Sequence, residues 1–259
     1  MKTIWSRRLP DLPHPGLPYL RRPLALPLLA VACAASLALA VGLTACENVA
    51  SYTEPSLVRV IDASYIAPAI NVVVEGVGLA GNLGQGSITP YGTLPSSTDA
   101  QIKITASTGG ATLVSTNGTL LPGHQHSIFL TDNGAAPTDY TVTILEDQQV
   151  AAASGHSAFR FLNQAPKTGA VDVYMVPAGT TLVNTIPLVT ALPVGATAGY
   201  ISFPSQTVTM VITPTGVTTP QYASTALALT GGEVRTVLIM DTQLTSNPPV
   251  EVFIADDVN

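Results

Sequence analysis

Cysteine and tryptophan are almost missing from this chain of 259 residues, which has two of the first and one of the second. Cys33, Cys46 and Trp5 all fall within the first 46 residues. Nothing downstream can therefore close a disulfide, and stability there has to come from packed apolar cores. The lack of tryptophan there weakens a carbohydrate-binding reading, since sugar sites commonly stack rings on exposed aromatics, though seven tyrosines remain. Charge is sparse, at 10% of residues, and basic charge sparser still. Five of the ten bases lie upstream of Cys46 with only one of the sixteen acids, so the remainder carries five bases against fifteen acids. A net charge near −10 repels phosphate backbones and anionic lipid surfaces, which argues against nucleic-acid binding and basic-patch docking. Helical periodicity is lacking after residue 46. So are a phosphate-binding loop, a dinucleotide fingerprint and a metalloprotease helix, and no cofactor or catalytic residue is implied.

What is present begins with an address. Arg21 and Arg22 flank the apolar segment Leu24 to Val41, and Leu43-Thr44-Ala45-Cys46 closes it with small residues and a cysteine. That order is the pattern of a bacterial lipoprotein signal peptide over residues 1–45, with Cys46 as the lipidated first residue of the mature protein. Several acyl chains on Cys46, palmitate among them, would anchor the chain stably without a membrane span. Glu47 follows where an Asp would favour inner-membrane retention, so the expected location is the outer membrane, on its periplasmic or cell-surface face.

Self-comparison shows a repeat. Val58-Arg59-Val60-Ile61-Asp62 aligns with Phe159-Arg160-Phe161-Leu162-Asn163, and Ile70 to Val74 with Val171 to Met175, at one offset. The register then moves by eight residues and pairs Gly86 with Gly195, Tyr91 with Tyr200, Asp132 with Asp241 and Asp147 with Asp256. The implied organisation is a tether at 46–56, repeat one at 57–147, a linker at 148–156 and repeat two at 157–259. The extra eight residues form a longer loop, Pro177 to Pro193, on repeat two alone.

Short runs rich in Val, Ile and Thr, bounded by Gly, Pro, Asn and Ser, are strand and turn chemistry. In repeat one they predict strands near Leu57–Asp62, Ile70–Glu75, Ser87–Tyr91, Gln101–Ala106, Thr112–Ser115, Ser127–Thr131 and Thr141–Glu146. The expected fold is all-β: two tandem Ig-like or transthyretin-like sandwiches after the signal peptide. Alternation in Gln101 to Thr105 turns Ile102 and Ile104 inward and Lys103 outward. The same pattern makes Arg59 and Arg160 outward residues whose charge discourages edge pairing or meets a cross-strand acid, or, on a sharper reading, shared ligand contacts.

Arg59-Val60-Ile61-Asp62-Ala63-Ser64, Ala67 to Val72, and Asn82 to Tyr91 resemble the bacterial secreted family called domain of unknown function 4397. Members read R-V-x-H-A-S-P-D-A-P-x-V-D-V-Y-V, then G-x-V-T-P-Y. Asp62, Tyr65 and Ile66 depart from that pattern; repeat two keeps Pro166, Asp172, Val173 and Tyr174 but has Asn163 in place of the His. The resemblance implies a β-sandwich module of the cell envelope, often in tandem and lipid-anchored, and supplies no catalytic mechanism.

Three motifs invite chemistry. Gly155-His156-Ser157 begins like a nucleophile elbow, but Phe159 replaces the final Gly and the Ser opens a strand. His124 and His126 lie two apart, a start for zinc or copper without an identifiable third ligand. Asp132-Asn133-Gly134 and Asp256-Asp257 lack the spaced oxygens of a calcium loop. The expected function is a non-enzymatic, lipid-anchored envelope protein making structural, adhesive or assembly contacts with an envelope protein or polymer. A periplasmic or surface protein binding a small ligand or metal ion is the alternative. Candidate binding positions are Arg59, Arg160, Pro177 and Pro193.

Overall fold

The β-branched runs pair into four sheets in the computed structural model, which describes residues 53–132, 139–242 and 249–258. The signal segment, Cys46 and the Asn133-Gly134 turn lie outside the described residues. Repeat one contributes β1 (Ser56–Asp62), β2 (Ile70–Val74), β3 (Val77–Leu83), β4 (Gly92–Leu94), β5 (Ser97–Ala106), β6 (Thr112–Leu120), β7 (Gln125–Asp132) and β8 (Tyr140–Glu146). Its sheets run β4-β1-β7-β8 and β3-β2-β5-β6. Val58, Val60, Ile70, Val72, Ile102, Ile104, Ile128 and Leu130 close the core between them.

Repeat two contributes β9 (His156–Gln164), β10 (Val171–Pro177), β11 (Val189–Leu192), β12 (Thr197–Pro204), β13 (Thr207–Pro214), β14 (Tyr222–Ala223), β15 (Leu227–Ala228), β16 (Val234–Asp241) and β17 (Val250–Asp256). Its sheets run β12-β9-β16-β17 and β11-β10-β13-β14, with β15 also on β13. Topology and register repeat together. Leu57 lies beside Gln125 in the parallel pair β1–β7, and Ala158 beside Val234 in β9–β16. The described residues are thus all-β and sandwich-like, and none of their helices is long and apolar enough to cross a membrane.

Sequence and structure differ at three places in the framework. Ser87–Tyr91 is not a strand; it touches β1 through a single bridge, Ile61 to Ile88, and pairing begins at Gly92. β3 was not expected because Val77-Gly78-Leu79-Ala80-Gly81-Asn82-Leu83 reads as turn chemistry. It is a partly exposed edge strand, which needs little apolar alternation. The segment Pro177 to Pro193 is not one loop: Pro177 ends β10, and β11 pairs back on β10 and puts Leu192 into the core. The extra eight residues fall within 178–188, with a single 3-10 turn at Leu182–Asn184.

Residues from Thr53 onward form one compact unit containing both sandwiches. A further apolar cluster, shared by the two repeats, explains why. Ile61, Ala63 and Phe129 of repeat one pack with Leu162, Leu238 and Met240 of repeat two. The period-two alternation of β1 points Val58 and Val60 into their own core and Arg59 and Ile61 at the neighbouring repeat. The sheet β4-β1-β7-β8 is therefore covered on both faces, as is its counterpart in repeat two.

Candidate functional site

Arg59 and Arg160 lie at the seam. Each is nearly inaccessible, at 2% and 3% relative exposure, which corrects the expectation of outward, edge-guarding side chains. A guanidinium without partners would be very costly at such depth. The Arg59 Nε donates to Ser127 Oγ at 2.7 Å, its Nη1 to the Asp256 carbonyl at 2.8 Å, and its Nη2 to the Asp257 carboxylate. Arg160 repeats the set from the other side. Its Nε donates to Thr236 Oγ1 at 3.1 Å, its Nη1 to the Glu146 carbonyl at 3.0 Å, and its Nη2 to Asp147 Oδ1 at 2.5 Å.

The two carboxylates are held alike. Asp147 Oδ2 accepts from Tyr91 and Ser127 hydroxyls at 2.7 Å each, and Asp257 Oδ2 from Tyr200 and Thr236 hydroxyls at 2.7 Å each. Each guanidinium also lies over its own repeat's tyrosine ring, 4.8 Å from the Tyr91 centroid and 4.9 Å from that of Tyr200. Burial lowers the affinity of Arg59 for its proton, but the charges of Asp257 and Asp147 outweigh it and the net shift is upward. Burial foremost pushes both phenols up, and Asp147 adds to this at Tyr91 and Asp257 at Tyr200.

This geometry moves one pairing. The partner of Asp147 across the repeat is Asp257, not Asp256. The N–H of Asp147 donates to the Gln125 carbonyl and that of Asp257 to the Val234 carbonyl, which are equivalent places. One extra residue between Asp241 and Val250 makes the slip. The acids, the tyrosines and the hydroxyls of Ser127 and Thr236 were missed as a group. Their signal was present in sequence: Arg, Tyr and Asp recur in both copies where a plain sandwich requires no polar residue.

Other candidates resolve singly. Ser157 is buried in β9 and its hydroxyl donates to the Thr230 carbonyl at 2.8 Å, so it is not poised on a turn. His124 Nδ1 sits 2.6 Å from Glu146 Oε1. His126 is buried, with Nε2 accepting from the Leu121 N–H at 3.3 Å and Nδ1 without a partner among the described residues. It borders a recess of about 260 Å³ with Thr119, Leu121, Ile144 and Glu146. Among the described residues no three His, Cys, Asp or Glu side chains converge as metal ligands. Asp256 pairs with Arg235 Nε at 3.0 Å. A recess of about 300 Å³ opens at the seam between Thr89, Pro90, Tyr91, Ile254 and Asp256. The inserted segment 178–188 displays Val183 and Ile186, 81% and 88% exposed.

No curated protein matches the chain. Among solved structures, a family 26 carbohydrate-binding module of Eubacterium rectale Amy13K, in complex with maltoheptaose, aligns at 10% identity over 76% of this chain and 95% of its own. Its TM-score is 0.23. The sequence family is more informative. Residues 56–174, from the first strand of repeat one into β10, match the model of the family described as domain of unknown function (DUF4397).

Proposed function

We propose that this chain is a non-enzymatic, lipid-anchored protein of the bacterial outer membrane whose two sandwiches act as one stiff module for structural, adhesive or assembly contacts. The observation that supports a stiff module is the reciprocal buried network at the seam, since two Arg–Asp pairs sealed by apolar residues oppose hinge motion between the repeats. The anchor is Cys46. From there to Ser56 the ten-residue tether reaches at most about 35 Å, which keeps the module close to the bilayer. Binding to an envelope protein or polymer would use the inserted segment 178–188, where exposed Val183 and Ile186 offer apolar area on a loop.

The test is protease shaving and antibody labelling of intact and lysed cells, with Cys46→Ala and a variant trimmed at 179–187 alongside wild type. Palmitate incorporation that persists in Cys46→Ala would overturn the anchor. Capture of envelope material unchanged by trimming would overturn the loop. Labelling of intact cells favours adhesion, and protection until lysis favours assembly. A second reading, a metal or small-ligand site, draws on the unpartnered His126 Nδ1 beside its recess. Calorimetry with zinc and copper decides it, and absence of saturable heat removes it.

A further inference from the structure

Asp62 and Asn163 end equivalent strands in equivalent surroundings. The backbone N–H of Asp62 donates to the Ser87 carbonyl and that of Asn163 to the Ala196 carbonyl. The Asp62 carbonyl accepts from Gly86, and the Asn163 carbonyl from Gly195. Their side-chain Oδ1 atoms do the same work, accepting from the Ser64 N–H at 3.1 Å and from the Ala165 N–H at 3.0 Å. The remaining side-chain atom differs. Asn163 Nδ2 donates to the carbonyls of Gly169 and Leu192 at 2.9 Å each. Asp62 Oδ2 is buried and has no partner among the described residues. The counterpart of Leu192 in repeat one is Leu83: Leu192 lies opposite Val171 and Leu83 opposite Ile70, the same place in the strand pair. By that equivalence a bare carboxylate oxygen would face the Leu83 carbonyl, an arrangement that costs the full desolvation of the charge.

We propose that Asp62 is carried in the fold as a neutral carboxylic acid standing in for the Asn163 amide, with its Oδ2–H directed at the Leu83 carbonyl, so that repeat one is latched by a proton that repeat two does not need. The surroundings favour the neutral form. Burial first, and then the charge of Asp132 from β7, push Asp62 up to about 7, against the pull of the Ser64 N–H. From β8 the Tyr140 phenol faces the same pair, and its proton is held more tightly by burial, by Asp132 and by Asp62. Losing the latch reaches the seam. Ser64 Oγ and the Tyr65 N–H both donate to Asp132 at 2.5 Å, and Lys167 of repeat two donates to the Tyr65 hydroxyl.

The sign of the pH effect follows from proton counting. The folded chain binds the Asp62 proton more tightly than the unfolded one, so this contribution is present at acid pH and is lost as pH rises from about 4 to about 7. Buried His126, whose pKa is lowered chiefly by burial, works in the opposite direction on acidification. The latch is therefore read as a difference between variants. Asp62→Asn supplies the amide permanently. Relative to it, the wild-type ratio of folded to unfolded chain should fall by up to about tenfold per pH unit across that window and level off above about pH 7.

Denaturant unfolding of wild type and Asp62→Asn at a series of pH values measures this, and Asn163→Asp should install the same dependence in repeat two. Carbon-13 titration of the Asp62 carboxyl in the wild-type protein gives a reading that does not depend on any variant folding. A midpoint within about one unit of 7 is expected. A midpoint below about 5, or wild-type and Asp62→Asn curves that stay parallel in pH, would overturn the proposal.

Discussion

Replacing Arg160 with Met tests how the repeats are joined, because it removes one guanidinium and keeps most of the volume. Three things go at once: the bond to Asp147, the bonds to Thr236 Oγ1 and the Glu146 carbonyl, and the stacking over Tyr200. Asp147 stays behind, inaccessible to solvent. Breaking a buried pair by deleting one member typically costs about 3–5 kcal/mol, because the other charge is left in low dielectric. Here Asp147 retains the Tyr91 and Ser127 hydroxyls and has Arg59 Nε 3.8 Å away, which puts the loss at the lower end, about 3 kcal/mol. That is a factor of roughly 150 in the folded-to-unfolded ratio. In urea, with a slope of about 2–3 kcal/mol per M, the midpoint by circular dichroism falls by about 1–1.5 M. The loss should persist in about 0.5 M NaCl, since buried pairs are screened little. Adding Asp147→Leu to the variant should recover part of it. A single-variant loss near 0.5 kcal/mol, the worth of a solvated surface pair, would refute the reasoning and with it the stiffness inferred for the module.

Two further outcomes follow from the same seam. Because Tyr91 and Tyr200 hold their protons more tightly than free phenols, the folded chain keeps protons that the unfolded chain releases, and stability should drop as pH rises through about 10. Absorbance titration should show these two phenols ionising only on unfolding, and Tyr91→Phe with Tyr200→Phe should flatten the alkaline loss; a simple titration of every phenol near 10 would contradict this. Gly86→Ala and Gly195→Ala form a matched pair, both at positive φ, 68° and 78°. A methyl at 86 would lie 2.2 Å from the Phe253 ring of repeat two, whereas one at 195 meets nothing within 4 Å. Gly195→Ala should cost about 1 kcal/mol of backbone strain and Gly86→Ala about 3, by thermal or urea unfolding; equal costs would mean that the ring moves aside freely.

The framework was legible in sequence to the extent that hydrophobic period and turn residues speak locally. β1, β2, β7 and β8 lie close to their expected bounds because apolar alternation there answers to a core. β3 was silent because its glycines and Asn82 satisfy an edge and not a core. The seam was harder for a different reason. Arg59 in a strand of Val and Ile looks like any outward charge, and period two says which face it occupies without saying what covers that face. Only the return of Arg, Tyr and Asp in the second copy points to shared use, and the one-residue slip after Asp241 pairs Asp147 with the wrong acid. The state of Asp62 could not be read at all before its amide counterpart was seen making two hydrogen bonds.

The reciprocity of the seam is the symmetry of a dimer held within one chain. Arg59 meets the acid of repeat two and Arg160 the acid of repeat one, so the contact is isologous, the arrangement found between the subunits of a homodimer. Covalent linkage replaces a concentration-dependent encounter by a local concentration set by the short connection between the halves. It also ends the obligation of a homodimer to change both faces at once. The outer edge shows the result: repeat two carries Glu233, Arg235 and Asp256 as mutually paired charges, while the equivalent places in repeat one hold His124, His126 and Glu146. One half carries a permanent ion-pair edge, and the other holds two imidazoles and a single carboxylate in its place.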